Sequence, residues 1–379
     1  MKICFVVANF WPGWGGAERQ CQLLARTLTH RGHAVTVLTR AKPGLPAEDC
    51  VDGVTVRRTA AFGSRTLQSV VWTLSATAWL RRRAAQFPVV QCYQLLSPSH
   101  IGILGCLQSR RSATVLRPAC GGPYGDIAEV RRLPLTALRK RLLGRADAYV
   151  TLTREIEAEL TEFGLEGATF HRIPNGVDGA VFSPAPPEEQ TVLRAASGLP
   201  TDKVLFAFVG RLTRQKRPDV LLDAWSRCAT SRMHLVVVGD GPLRAELERR
   251  GSRPASRKDV TFTGAVSDVR AFIRAMDVAV IPSEAEGMSN AMLEAMACGL
   301  PVVATDVGGV REVLGSDGKA GVVVPAGSSA ALAEAMAGLA ASAGLRKECG
   351  AAARALIEER YDIRRVVAQY LSLYAELAG

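Results

Sequence analysis

Two doubly wound α/β domains are predicted by three features of this sequence. Short β-branched runs bounded by Gly, Pro or Asp recur in both halves, amphipathic stretches alternate with them, and a turn-rich, proline-rich segment separates the halves. At 379 residues the chain exceeds one typical core and suits two domains of ~100–200 residues each. Its composition, 48% hydrophobic and 22% charged, excludes a disordered chain, a collagen-like repeat and a disulfide scaffold.

The first run, Lys2–Ala8, is too short for a signal-peptide core and stops at Asn9-Phe10-Trp11-Pro12-Gly13, so it reads as a first strand. An amphipathic stretch over Ala17–Arg31 follows as a helix. Further strands are expected at Ala34–Thr39, Thr55–Arg57, Val89–Cys92, Thr114–Arg117, Ala148–Leu152 and Thr169–Ile173. The segment from Pro174-Asn175-Gly176 to Ser183-Pro184-Ala185-Pro186-Pro187 has the punctuation of a linker. Beyond it, strands at Val204–Val209, His234–Val238, Val260–Phe262, Val278–Ile281, Val302–Thr305 and Gly321–Val324 alternate with helices at Pro218–Cys228, Leu243–Arg250, Val269–Ala275 and Ala291–Cys298. Ala326–Ala343 reads as a plain surface helix, and one long helical pattern from about Ala351 to Ala378 ends the chain with no strand after it. Ligands of such sheets bind at the carboxyl ends of the strands, so the two domains are expected to face a central cleft.

Charge is distributed unevenly. Residues 1–180 carry 23 Lys+Arg against 13 Asp+Glu, net +10, while residues 181–379 carry 24 against 23, net +1. An acidic partner for the first half follows: nucleic acid, anionic membrane or a phosphorylated substrate. Nucleic acid is set aside because no aromatic platform or nucleic-acid motif accompanies the charge. Nine scattered cysteines with no Cys-x-x-Cys pair read as reduced core residues of a cytosolic protein. The longest apolar stretches, such as Ser69 to Leu80, fall short of the ~18 residues of a spanning helix.

The densest functional signal lies between Glu284 and Gly309. After a strand ending in Pro282-Ser283, Ser289 or Asn290 can cap a helix that runs to Cys298 and stops at Gly299, and the helix start is an anion site. Glu286 precedes that helix and Glu294 lies about one turn inside it. Neither carboxylate can bind a phosphate; both are placed to accept hydrogen bonds from hydroxyls, as on sugars. A second cluster, Gly210-Arg211-Leu212-Thr213-Arg214-Gln215-Lys216-Arg217-Pro218, leaves a strand end with Arg211 and Lys216 suited to phosphoryl oxygens, and Arg214 and Arg217 read as solvated. In a third, Trp11-Pro12-Gly13-Trp14-Gly15-Gly16-Ala17-Glu18, Gly15 and Gly16 let backbone approach a ligand phosphate. Glu18 stands where a dinucleotide fingerprint needs its third glycine. No Asp-x-Asp, His-Glu-x-x-His or Walker-type motif occurs, so neither a metal nor an ATP site is signalled.

Together with Val238-Gly239-Asp240-Gly241-Pro242, Phe262-Thr263-Gly264, Glu294-Ala295-Met296-Ala297-Cys298-Gly299-Leu300-Pro301 and Ile173-Pro174-Asn175-Gly176-Val177-Asp178, these motifs resemble the retaining glycosyltransferases of family four, over nearly the whole chain. The resemblance implies the GT-B fold: an acceptor domain over 1–182, a nucleotide-sugar donor domain over 183–355, and a helix over 356–379 that crosses back to the first domain. It implies that Glu294 binds the donor ribose hydroxyls and that Glu286 sits against the donor sugar. Backbone of Gly287, Met288, Ser289 and Asn290 would meet the sugar and β-phosphate, Arg211 and Lys216 the diphosphate, and Gly264 to Val266 the base.

Many members carry a histidine after the strand equivalent to Thr114–Arg117. Here the segment reads Cys120-Gly121-Gly122-Pro123-Tyr124-Gly125-Asp126, so either Asp126 or the Gly121-Gly122 backbone replaces it, with His100 the other candidate, or the acceptor chemistry differs.

The expected activity is metal-independent, retaining transfer from a UDP- or GDP-sugar to a glycan, glycolipid or small-molecule hydroxyl, with no cofactor. Other GT-B activities, epimerase or disaccharide phosphorylase, and a non-catalytic sugar-nucleotide-binding subunit are the alternatives. The location expected is cytoplasmic, with the basic first half against the inner face of an anionic membrane.

Overall fold

The computed structural model describes residues 1–12, 15–109, 111–251, 259–315 and 318–379. Gly13 and Trp14 of the glycine-rich turn lie outside the described residues, as does Arg110 of the basic first half. The chain divides into two units, one of Met1–Gly176 with Ile363–Gly379 and the other of Val177–Asp362.

The first unit runs β1 (Lys2–Val6), α1 (Gly16–His30), β2 (Ala34–Arg40), β3 (Glu48–Val51), β4 (Val54–Thr59), α2 (Arg65–Arg81), β5 (Val89–Tyr93), α3 (Ser97–Cys106) and β6 (Ala113–Arg117). It continues with α4 (Asp126–Arg132), α5 (Thr136–Leu143), β7 (Ala148–Thr151), α6 (Arg154–Glu162) and β8 (Phe170–Arg172). Its sheet has the order β3-β4-β2-β1-β5-β6-β7-β8. All neighbours are parallel except β3 against β4. β5 is buried along its whole length, as a parallel strand covered by helices on both faces must be. β3 escapes the sequence pattern because Glu48-Asp49-Cys50-Val51 has no β-branched run; pairing with β4, Asp49 opposite Val56, makes it a half-exposed edge strand.

The second unit runs α7 (Pro187–Ala196), β9 (Val204–Val209), α8 (Pro218–Cys228), β10 (Met233–Val238), α9 (Arg244–Gly251), β11 (Val260–Gly264), α10 (Val269–Ala275) and β12 (Val278–Ile281). It closes with α11 (Asn290–Ala297), β13 (Val302–Thr305), α12 (Val310–Leu314), β14 (Gly321–Val324), α13 (Ser329–Ala341) and α14 (Ala343–Leu356). The sheet order is β11-β10-β9-β12-β13-β14, all parallel. Trp225 of α8 is fully buried, edge-on to Phe206 of β9 at 5.8 Å. The Ala-rich helix α13 is not the plain surface helix expected: Leu332, Ala333, Met336 and Leu339, spaced along one face, enter this core.

The long C-terminal helix expected from about Ala351 is broken. After α14 the chain makes a π turn over Ile357–Tyr361, becomes extended at Asp362, and restarts as α15 (Ile363–Ala378). Two apolar faces with different destinations require the break. Ala353 and Ile357 are buried in the second unit, where the Tyr361 hydroxyl donates to the Glu312 carbonyl at 3.1 Å. Ile363, Val366, Val367, Tyr370, Leu373 and Tyr374 join Leu24 and Leu28 of α1 in the core of the first. Each such buried side chain contributes about 1.5–3 kcal/mol relative to exposure.

The linker likewise belongs to the second unit from Val177 onward, not from 183. The Arg354 guanidinium donates to the carbonyls of Gly179, Phe182 and Ala297 at 3.3, 3.0 and 2.6 Å, and Val177 N–H donates to Tyr361 at 2.9 Å.

Candidate functional site

In a doubly wound sheet the crossovers leave in opposite directions from one point, and the loops there splay apart to leave room for a ligand. In the second unit that point lies between β9 and β12, because β10 and β11 stand on one side and β13 and β14 on the other. The loop after β9 carries Arg211 and Lys216; the loop after β12 carries Pro282 to Ser289.

The two loops are joined by backbone and side chain. Glu284 N–H donates to the Gln215 carbonyl at 2.8 Å, and the Gln215 amide donates to the Ala285 carbonyl at 3.1 Å. Across this junction the Lys216 ammonium meets Glu286 Oε1 at 2.6 Å, and the Ser283 hydroxyl donates to the same oxygen at 2.7 Å. These are the short lengths of charge-assisted bonds. The Glu286 side chain is only 7% exposed and Lys216 24%, so the carboxylate is buried and its cation has one side toward solvent. A buried carboxylate is tolerated only when paired and hydrogen-bonded, which Lys216 and Ser283 provide. Ser283 is held in turn by Thr305, whose hydroxyl donates to the Ser283 carbonyl at 2.5 Å.

Gly308 fixes the other side of the loop. At φ +52° its backbone lies so close to the Glu286 carbonyl that a Cβ would collide with it. Gly309 N–H donates to the Gly287 carbonyl at 3.3 Å.

Of the two N-caps left open by the sequence, Ser289 caps α11, accepting from Met292 N–H at 3.4 Å. Gly287, Met288 and Ser289 are buried at the helix start, Asn290 opens the helix, and Glu294 lies one turn inside it at 9% exposure. Gly264 ends β11 at φ +74°, with its carbonyl accepting from Gly239 N–H at 2.9 Å, and Val266 is half-buried in the following loop. β11 is two strands from β9, so Gly264 and Val266 stand away from Lys216 and Glu286 on the same carboxyl edge. Arg211 is exposed and its guanidinium makes no hydrogen bond or ion pair among the described residues. Sequence reasoning assigned no role to Ser283, Gln215, Thr305 or Gly308; the signals were Pro282-Ser283 at a strand end and the double glycine after Val302–Thr305.

In the first unit the switch point lies between β1 and β5. Gly15 is the extended N-cap of α1 and Gly16 its first residue, and no side chain of the cap satisfies the helix start. The Glu18 carboxylate folds over Gly15, in the space a Cβ would take. The Asp126 carboxylate is engaged by backbone. It accepts from the N–H groups of Leu95, Ala119 and Cys120 at 2.8, 2.7 and 3.2 Å, and the residue is 6% exposed. Burial raises its pKa against the pull of those three donors. Asp126 therefore pins the turns after β5 and β6 to each other.

His100, on α3, is pushed down to about 4 by burial and, secondarily, by Arg139, which makes it neutral at physiological pH. Beside the turn, Gly122 N–H donates to Glu159 at 2.5 Å. A cavity of about 490 Å³ opens there, and Arg131, Arg132, Glu159 and Glu162 are among the residues that line it.

All nine cysteines are unbridged. Among the described residues no helix is long and apolar enough to cross a membrane.

Comparison with known proteins covers both units. The profile described as Glycosyltransferase Family 4 matches residues 14–180, and that described as Glycosyl transferases group 1 matches residues 203–342. The D-inositol 3-phosphate glycosyltransferase of Kribbella flavida is 32% identical over 380 residues, covering 89% of this chain and 85% of the relative. Among solved structures, the sucrose-phosphate synthase of Thermosynechococcus elongatus superposes with a TM-score of 0.83 at 22% identity, over 99% of this chain and 98% of that one. HepE of Anabaena in complex with UDP-glucose gives 0.80 at 22% identity, over 98% and 99%. The fold is GT-B.

Proposed function

The chain belongs to glycosyltransferase family 4, and from that premise we propose that it moves a sugar from a UDP- or GDP-sugar to an acceptor hydroxyl with retention at the anomeric carbon and without a metal. The observation that carries this reading is the Lys216–Glu286–Ser283 cluster at the switch point of the second sheet. A partly exposed ammonium paired to a buried carboxylate is a site poised for exchange: an arriving diphosphate takes the lysine, and the carboxylate turns to the sugar hydroxyls. Arg211, exposed on the same loop, and the start of α11 add positive potential for the leaving group. Glu294 serves the ribose hydroxyls, backbone at Gly287 to Asn290 the sugar and β-phosphate, and Gly264 to Val266 the base.

The chemistry follows from those placements. The bond from the anomeric carbon to the diphosphate oxygen breaks as the acceptor oxygen bonds to the same face, and the acceptor proton passes to the departing diphosphate. Lys216 and Arg211 hold the charge that develops there, which is where fixed cations lower the barrier most. The acceptor is a glycan, glycolipid or small molecule. The name of the Kribbella relative supports an acceptor bearing an anionic group.

Steady-state turnover of UDP- and GDP-sugars by Arg211→Ala, Lys216→Ala and Glu294→Gln tests the assignment. Each is expected to lower kcat/KM by about 10²–10³, the scale of one removed charge-stabilising group. Unchanged kinetics in all three would refute it. NMR of the product's anomeric configuration checks retention, and activity surviving a chelator checks metal independence.

A further inference from the structure

Arg244 opens α9, and its guanidinium lies over the carboxyl end of the strand that follows, β11. A side chain at Gly264 would have its Cβ 2.6 Å from Arg244 Nη1 and 3.3 Å from Nη2, so the hydrogen-bonding edge of the guanidinium fills that place. Two carboxylates hold it there. Arg244 Nε donates to Glu248 Oε1 at 2.8 Å and Nη1 to Asp240 Oδ2 at 2.9 Å, while Nη2 makes no hydrogen bond among the described residues. Asp240 is fixed in turn, because its carboxylate accepts from Gly241 N–H at 2.7 Å and its carbonyl from Leu212 N–H at 2.9 Å. The loop that carries Arg211 therefore also anchors Arg244.

Those partners decide what the guanidinium can do. Surface ion pairs of this kind contribute little to stability, and with two carboxylates beside it Arg244 has no net positive charge to offer a diphosphate. What it keeps is a fixed N–H donor for a neutral acceptor. Gly264 offers no competing acceptor, since its carbonyl already receives the Gly239 N–H and the Thr263 hydroxyl, each at 2.9 Å. Ala265, next in the chain, is exposed, and Val266 is half-buried. A nucleobase seated against them has the guanidinium edge as its neighbour, and the group that edge recognises best is an exocyclic carbonyl oxygen. Uracil and guanine have one; adenine has only ring nitrogens and an amino donor.

We propose that Arg244 is a specificity-determining residue of the donor site, donating through Nη2 to a carbonyl oxygen of the base and selecting uridine or guanosine nucleotides over adenosine ones. This role rests on the placement of the base at Gly264 to Val266, and it adds the side chain that reads the base.

Isothermal titration of the full chain with UDP, GDP, ADP and pyrophosphate tests it. The wild type is expected to bind UDP or GDP at least about tenfold tighter than ADP. Arg244→Ala should weaken the preferred nucleotide roughly tenfold, the scale of one hydrogen bond to a charged group at a partly exposed site, and bring it within about twofold of ADP. Pyrophosphate binding and the melting temperature should not change. Arg244→Lys keeps the charge without the second terminal nitrogen and should behave like the alanine variant. Lys216→Ala is the reference for the diphosphate and should weaken all four ligands. Loss of affinity in Lys216→Ala with none in Arg244→Ala overturns the role of Arg244 and leaves the donor site standing. An equal loss of pyrophosphate and nucleotide in Arg244→Ala, or a wild type that prefers ADP, overturns it as well. A base-selective loss in Arg244→Ala beside an unaffected Lys216→Ala would instead refute the diphosphate assignment and keep the role of Arg244.

Discussion

At the switch point of the second sheet a lysine, a carboxylate and a serine hydroxyl meet; near that of the first sheet the Asp126 carboxylate is taken up by backbone. The plan of strands and crossovers is shared, and the use of the charge is opposite. Glu286 is bound to a cation that faces partly to solvent, and the pair joins two side chains with no backbone group between them. Asp126 is bound to N–H groups of two turns, and it cannot change partners unless those turns come apart.

The largest expected effects come from exchanging these two roles. Asp126→Ala removes the carboxylate that accepts from the buried Leu95 N–H and from the half-buried N–H groups of Ala119 and Cys120, and at about 1–3 kcal/mol for a buried orphan the loss should approach ~3 kcal/mol, read from the denaturant midpoint. Glu286→Gln should instead keep stability within about 1 kcal/mol and lower kcat by ~10²–10³. The contrast fails if Asp126→Asn, assayed under conditions where it is fully folded, loses turnover as severely as Glu286→Gln.

Glycines of the two units give a second, smaller contrast. Gly308→Ala drives a Cβ into the Glu286 carbonyl at a left-handed φ, so backbone must move, and about 2–3 kcal/mol of stability should go with it together with turnover. Gly15 has an ordinary φ of −101°, and its Cβ would meet only the far end of the Glu18 side chain. Gly15→Ala should therefore change the melting temperature little, and any loss of donor affinity in it reads out a ligand contact. Equal destabilisation by both substitutions would show that the Glu18 side chain is as fixed as the loop around Glu286.

The same asymmetry governs what the sequence makes legible. Strands such as Val204–Val209, Val278–Ile281 and Val302–Thr305 are readable to the residue because burial on both faces demands unbroken apolar runs. Glu286 and Lys216 stand out in the sequence because charged residues at strand ends have few structural uses, and the fold brings the two together. What holds Asp126 is hidden for the opposite reason: a carboxylate among glycines looks available, and only three-dimensional pairing reveals the three backbone donors that engage it. Ser283 and Thr305 are obscured because a hydroxyl carries no pattern of its own. The break at Asp362 is invisible because helix propensity continues through it and only the change of core, from that of Ile357 to that of Ile363, forces the chain to turn.

The smallest effect concerns a histidine in each unit. His100 of the first is pushed down to about 4 by burial and by Arg139, and His234 of the second is lowered by burial and by Lys203 while its ring bonds the Thr261 hydroxyl at 2.9 Å. In the unfolded chain both titrate near 6.5. Between 6.5 and 4 the unfolded state thus binds more protons than the folded one, and stability present above 6.5 is lost as pH falls. Each group can contribute at most about 1.4 kcal/mol per pH unit, and the partial exposure of His100 lowers its share. Chemical denaturation should then show the wild type losing on the order of 1–2 kcal/mol between pH 7 and 5. His100→Asn should retain only the part of that slope owed to His234 and to the remaining titrating groups. A slope identical to the wild type would mean that His100 takes up its proton in the folded state at the ordinary value, and that α3 admits water where the first unit is otherwise dry.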